Sequence, residues 1–467
     1  MAKTTDLATA SAVEMAAMVR EKRVSPVEIT GAVLDRIAAH RHLNAFVALD
    51  AERALTAARA AEAAVMRGDA LGPLHGVPAT IKDIQAVTGL PTRRGSHFSD
   101  PAPATADSAL VARLRGAGAI ILGKTTTTEH GWTAVSSGPL TGDTHNPWMQ
   151  GRTAGGSSSG AASLCGAGCG PLHLGTDGAG SIRLPAHFCG VVGFKPSYGR
   201  VPNTPVPNNG GLSHAGPITR SVQDAALMFS VMAGPHALDH TTLPDWFTPA
   251  VAPGGLKGLR IAYSPDLGHA RVDPDVAAVV ATSVRRLAEA GAIVEEITPP
   301  WGPTGPALER ELWGGAFRPR LGKDAAAEAL MDPGLVACTR AYRDLSYMDA
   351  HAAQGRRFAY AAAVNSWFEE GGWDLLATPS ASVAAFEVGR QLPPHWPDHE
   401  WDWLVWAEFS YPFNLSHGPA ISVPCGLSAE GLPVGMQIAG PRLADSLVLR
   451  AAAGFLAAQP FEITPAR

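Results

Sequence analysis

The sequence predicts an α/β fold in one large domain, and three observations carry that reading. Strand-length apolar runs alternate with helix-length amphipathic stretches from residue 72 onward. The same alternation returns after residue 259. No charge run, repeat or low-complexity stretch divides the 467 residues.

The first seventy residues have helical periodicity. Val13, Met15, Met18 and Val19 form one apolar stripe, and Ile29, Val33, Leu34 and Ile37 form another. Ser25-Pro26 opens the second helix, a capping residue followed by proline at the first helical position. Residues 1–70 are therefore expected to make a helical layer. Next, V-P-A-T-I runs as a strand into Lys82, S-A-L-V-A-R-L-R-G-A-G reads as a helix closed by glycine, and A-I-I-L before Gly123 reads as a strand. Later, L-R-I-A-Y at 259–263 is a strand, Asp273-Pro274 opens a helix reaching Glu289, and A-I-V-E-E-I is a strand. This assigns 72–300 to an α/β core and 414–467 to a return to it. Residues 301–413 break the rhythm. They hold Trp301, Trp313, Trp367, Trp373, Trp396, Trp401, Trp403 and Trp406, with prolines between Leu392 and Pro397. Irregular aromatic-rich sequence on such a scaffold is expected to wall a pocket, with Trp313, Trp396, Trp401 and Trp403 as candidates for binding an aryl group. The competing reading is that these rings fill the core.

Composition narrows the function. With 46% hydrophobic and 17% charged residues the chain has ample material for a core, which excludes intrinsic disorder. A net charge of −5 leaves no basic footprint for nucleic acid or an anionic membrane and suits a small-molecule substrate. Five cysteines, an odd number without metal-site spacing, suit a reducing cytoplasm. The start lacks an apolar signal core, and no run of about 18 apolar residues occurs, so neither secretion nor membrane spanning is expected. The sixteen histidines form no H-E-x-x-H or comparable ligand spacing, so no metal is expected, and His130 beside Glu129 reads as a packed or surface residue.

The chemistry concentrates between Gly155 and Arg183, where two serine clusters sit among small residues. Ser181 ends G-T-D-G-A-G-S, a turn in which the backbone N–H groups of Gly178, Ala179, Gly180 and Ser181 lack side-chain cover, as an oxyanion hole requires. Ser157, followed by Ser158, lies in its own glycine turn, and Lys82 ends an apolar strand. Serine at its ordinary pKa is a poor nucleophile and needs a proton acceptor. Lysine serves only when neutral, and burial favours that form by penalising the ammonium. Asp83 would oppose the shift, but adjacent strand residues face opposite ways, so it is expected to point elsewhere. Asp177 and Arg183 flank the Ser181 turn and are expected to anchor it.

This block, with L-H-G-V-P-A-T-I-K-D (74–83), G-K-T-T-T-T-E (123–129), N-P-W (146–148), G-P-A-I-S-V-P (418–424) and G-L-P-V-G-M-Q-I-A-G (431–440), resembles the amidase signature family over most of the chain. The resemblance implies a large mixed sheet sandwiched between helices and a Ser-Ser-Lys triad. In it Ser181 is the nucleophile, Ser157 the bridging serine after a cis peptide bond, and Lys82 the base. It also implies hydrolysis of amides, including aryl or bulky amides and anilides, through an acyl-serine, with carbamates and esters as further substrates. No cofactor is implied, and a monomer or homodimer is expected. The sequence departs from the family pattern at Ala179, where glycine is usual, and at Ala154, where proline is usual. The Ala179 methyl is expected beside the oxyanion hole, altering which acyl groups fit.

Three alternatives stand beside this reading. A glutaminase subunit of a tRNA-dependent amidotransferase is similar in sequence. G-S-S-S-G at 156–160 fits a nucleophile elbow centred on Ser158, although N-P-W-M-Q-G-R-T-A before it is no buried strand. G-A-I-I-L-G-K-T at 118–125 fits a phosphate loop by letter, although its spacers are strand residues.

Overall fold

In the computed structural model, which describes residues 6–207, 209, 211–250, 255–320 and 322–462, one mixed sheet organises the chain. Its strands are β1 (Phe46–Leu49), β2 (Pro78–Lys82), β3 (Ile120–Thr125), β4 (Leu172–Asp177), β5 (Val192–Lys195), β6 (His214–Thr219), β7 (Arg260–Tyr263), β8 (Ile293–Glu296), β9 (Leu375–Pro379), β10 (Ala420–Leu427) and β11 (Pro433–Ala439). They lie in the order β1-β3-β2-β4-β6-β5-β10-β11-β9-β7-β8. β2 runs parallel to β3 and β4, and β7 parallel to β8 and β9, while the pairs between β4 and β9 are antiparallel. The α/β fold with a large mixed sheet between helices follows. β2, β4 and β11 are buried along their whole length because both faces are covered. Polar side chains on such strands must find partners inside, which makes Lys82 and Asp177 informative.

The N-terminal helices Ala12–Arg20 and Pro26–Ala39 both open with capping boxes, Ser11 with Glu14 and Ser25 with Glu28. Their stripes bury Met15, Val19, Ile29, Val33 and Ile37 in the core cluster that also holds Ile81 of β2 and Leu174 of β4. The same region contains an edge strand, β1, antiparallel to β3, and a third helix, Ala51–Arg67. The strand is only four residues long, too short to stand out against the helical periodicity around it.

Residues 301–413 are more regular than their composition suggests. They carry the helices Gly305–Phe317, Pro333–Ala341 and Tyr347–Gly371, then β9. Trp301, Trp313, Trp396, Trp401, Trp403 and Trp406 are buried in a second core cluster, with Trp367 and Trp373 packed against it. Core filling accounts for most of these rings. The phosphate-loop match dissolves in the same way: residues 120–125 are strand β3, and the Lys124 Nζ lies 2.8 Å from the Asp83 carboxylate, both side chains fully buried. Asp83 thus turns away from Lys82, as the strand alternation requires. Among the described residues, no helix is long and apolar enough to cross a membrane.

Candidate active site

β2 and β4 are parallel neighbours, so the end of one brings Lys82 beside Thr176 near the end of the other. The Lys82 Nζ is 2.9 Å from Thr176 Oγ1, 3.3 Å from Thr176 O and 2.8 Å from Ser157 Oγ. A neutral amine has two N–H donors and one lone pair. Two donors directed at Thr176 leave the lone pair for the Ser157 hydroxyl, so these contacts fit the neutral form without an unmet group. Burial lowers the Lys82 pKa to about 7, against the opposing pull of the Asp177 charge.

Ser157 follows a cis peptide bond from Gly156 and precedes the helix Ser159–Gly166. That helix is built from small residues and is wholly buried; a Cβ at Gly160 would lie 2.1 Å from the Ala45 carbonyl oxygen. The Ser158 N–H donates to Ser181 O at 3.3 Å, tying the two serine turns together. Gly180, before Ser181, has φ +121, and a Cβ there would meet Ser410 Oγ at 2.4 Å. Ser157 and Ser181 line the same cleft, of about 210 Å³. Among the described residues the Ser181 hydroxyl makes no hydrogen bond. Ser158 does not line the cleft; its hydroxyl donates to Thr176 O at 3.2 Å.

The Ser181 turn hangs on a buried ion pair. Arg183 Nε and Nη2 donate to the two Asp177 oxygens at 3.0 and 2.9 Å. Further Arg183 bonds reach Ser410 O, Gln437 Oε1 and Asn414 Oδ1 at 2.7, 2.7 and 2.6 Å. Burial pushes the Asp177 carboxyl upward, but the Arg183 charge and its hydrogen bonds outweigh it and hold the group below the usual carboxylate range. Removing one partner of such a pair typically costs about 3–5 kcal/mol.

This anchor changes the expected oxyanion donors. The Gly180 N–H donates to Asp177 Oδ1 at 2.7 Å, so it is engaged in holding the turn. The N–H groups of Gly178, Ala179 and Ser181 have no acceptor among the described residues. The Ala179 side chain also departs from expectation. It belongs to the buried apolar cluster with Leu184 and Trp132 and does not line the cleft, so its methyl stabilises packing behind the turn.

The cleft walls are only partly legible in the sequence. Of the four tryptophans singled out, Trp313 lines the cleft, beside Phe317 at a ring separation of 5.0 Å. Trp403 stands behind Trp313, 5.7 Å away, and both indoles donate to Trp132 O. Trp396 donates instead to Asp273, and Trp401 packs on Tyr342. Cleft residues that sequence reasoning missed include Thr176, Arg94 and Arg320. Thr176 sits inside the G-T-D-G motif, which was the available signal; the arginines had none. His130 also lines the cleft, with φ +52. Burial, reinforced by the Arg320 and Arg94 charges, lowers its pKa to about 4 and keeps the imidazole neutral.

Comparison with known proteins agrees at the level of the family. The Amidase family model matches residues 28–449. The chain is 39% identical to an acylamidase from Rhodococcus erythropolis, covering 97% of this chain and 96% of that protein. It is 35% identical to a glutamyl-tRNA(Gln) amidotransferase subunit from Salinispora tropica, covering 96% of this chain and 97% of that protein. A crystal structure of a bacterial aryl acylamidase of the amidase signature family superposes with a TM-score of 0.89 at 30% identity, covering 97% of this chain and 96% of that one.

Proposed function

We infer the chemistry of this chain from one premise: it belongs to the Amidase family and is an amide-hydrolysing enzyme. The reading that Lys82, Ser157 and Ser181 perform the hydrolysis is carried by one observation, the fully buried Lys82 amine bonded to Ser157 and lowered to about 7. In the reaction, the Ser181 hydroxyl closes on Ser157 and attacks the substrate carbonyl. Its proton passes to Ser157 as the Ser157 proton passes to Lys82. The tetrahedral oxyanion takes hydrogen bonds from the N–H groups of Gly178, Ala179 and Ser181, while Gly180, Asp177 and Arg183 hold the turn. Lys82, through Ser157, returns a proton to the departing nitrogen as the C–N bond breaks. Water then enters, gives its proton along the same path, and releases the acid from Ser181.

Amides with an aryl or bulky group are the substrate class, supported by the Trp313 and Phe317 wall and by the similarity to an acylamidase and an aryl acylamidase. Carbamates and esters present the same carbonyl to the same donors and belong to the range. The five buried thiols suit a reducing cytoplasm, where the enzyme works as a monomer or homodimer on small molecules. A glutaminase subunit predicts a co-purifying partner and a site selective for glutamine, and the aromatic wall favours the aryl amidase.

A fluorophosphonate probe tests the nucleophile directly. Peptide mass spectrometry is expected to place the adduct on Ser181; an adduct on Ser158 would transfer the assignment to the nucleophile elbow. The wall is tested by Trp313→Ala, expected to raise KM for an aryl amide by tenfold or more, on the scale of about 25 cal/mol per Å² of lost apolar contact, while acetamide changes little. Trp401→Ala should instead lower thermal stability without altering selectivity, because its ring lies away from the cleft.

A further inference from the structure

We propose that the cleft selects amides bearing an anionic substituent such as a carboxylate, bound by Arg320 and Arg94. The proposal deepens the aryl amidase reading and rests on it.

The first observation is the charge of the walls. The chain carries a net charge of −5, yet no Asp or Glu lines the cleft among the described residues, and its only formal charges are the two guanidinium groups. Neither makes an ion pair or a side-chain hydrogen bond with a described residue. By contrast, Arg152 contacts Glu387 and Glu430, Arg310 contacts Asp402, and Arg183 contacts Asp177. Three carboxylates adjoin cleft residues in sequence, and each is engaged elsewhere: Glu129 accepts from Ser96 Oγ at 2.7 Å and the Asp332 N–H at 2.7 Å, Asp177 is paired with Arg183, and Asp83 with Lys124.

The second observation is placement. The His130 N–H donates to Arg94 O at 2.7 Å, and a Cβ on Gly131 would lie 3.1 Å from Ser157 Oγ, so Arg94 belongs to the wall that adjoins the relay serine. Arg320 approaches from the opposite segment. Trp313, Ala316, Phe317 and Arg320 follow the i, i+3, i+4, i+7 spacing of one helical face, and all four line the cleft. An aromatic body lying along Trp313 and Phe317 therefore ends at a guanidinium. The two cations also repel: after burial, which is the larger effect, the Arg94 charge disfavours the Arg320 cation, and both charges add to the burial that keeps His130 neutral. An anion between them relieves that repulsion and gives both guanidinium forks an acceptor. Neutral His130, whose Nδ1 has no partner among the described residues, adds a polar group that does not demand charge.

The test compares matched substrates. 4-Acetamidobenzoate carries the anion on the leaving amine, with neutral 4-acetamidoacetophenone as its counterpart. The mono-4-nitroanilide of glutaric acid carries it on the acyl side, with the 4-nitroanilide of pentanoic acid as its counterpart. In at least one pair the anionic member is expected to have a kcat/KM higher by about tenfold or more, the scale of a charge-assisted hydrogen bond, and the preference should shrink as salt rises. Arg320→Gln, at an exposed position, should erase most of that preference by raising KM for the anionic member far more than for the neutral one, and Arg320→Glu should reverse it. Equal rates within both pairs, or a preference that survives Arg320→Glu, would overturn the proposal. Turnover of the neutral members reports on the amidase reading separately. If none of the four is cleaved, calorimetric binding of 4-acetamidobenzoate and 4-acetamidoacetophenone to the Ser181→Ala protein still decides: tighter binding of the anion, lost in Ser181→Ala/Arg320→Gln, supports the arginine site, and equal binding removes it.

Discussion

Ser181→Ala is expected to lower amide turnover by at least about 10³ while leaving the fold intact. The size of the loss follows from the role proposed for the hydroxyl. Without it no acyl-enzyme forms, and whatever rate remains comes from water attacking a carbonyl polarised by the Gly178, Ala179 and residue 181 N–H groups. The fold survives because Ser181 spends no side-chain hydrogen bond on structure among the described residues, and the turn is held by Asp177, Arg183 and the Gly180 N–H. Circular dichroism and thermal melting should match the parent. A variant retaining more than about a tenth of parental turnover would remove Ser181 as the nucleophile.

Lys82→Ala is expected to abolish amide cleavage and to remove the pH dependence that the parent enzyme shows near neutrality. With the Lys82 pKa at about 7, the amine is protonated below that pH and cannot accept a proton, so kcat/KM should rise with pH through about 7 and level above it. Lys82→Arg keeps a cation at every accessible pH and should be as inactive as alanine, which separates loss of the base from loss of the charge. The shift also bears on stability. The unfolded chain holds this proton up to about 10.4, whereas the native protein releases it at about 7, so between these values the unfolded state binds more protons and Lys82 makes stability rise with pH. Lys82→Met should flatten that slope. A normal rate limb near 7 in Lys82→Ala would assign the titration to another group.

Fold class and the segments that carry the candidate residues are legible in the sequence because both rest on local regularities. The Ser25-Pro26 helix start, the apolar runs of β2, β3 and β7, and the glycine turns around Ser157 and Ser181 can each be read within a dozen residues, since backbone geometry and burial act on neighbours. The strand β1 escapes because four residues carry too little periodicity.

How those groups are held, and what surrounds them, depends on packing between distant segments. Lys82 meets Ser157 across 75 positions and Arg183 meets Gln437 across 254, pairings set by strand order in the sheet. The Gly180 N–H, expected to face substrate, goes to Asp177, since a carboxylate buried beside Arg183 needs every donor within reach. Trp396, Trp401 and Trp403 look equivalent to Trp313 in the sequence because composition registers aromatic content and carries no direction. The sheet and the helix Gly305–Phe317 supply that direction, turning Trp313 and Phe317 into the cleft and the other three rings into packing. Arg94 and Arg320 are 226 positions apart (320 − 94) and share no motif. They face one cavity because burial drives apolar surface together without regard to separation along the chain, and the polar groups carried with it meet wherever the packing leaves room.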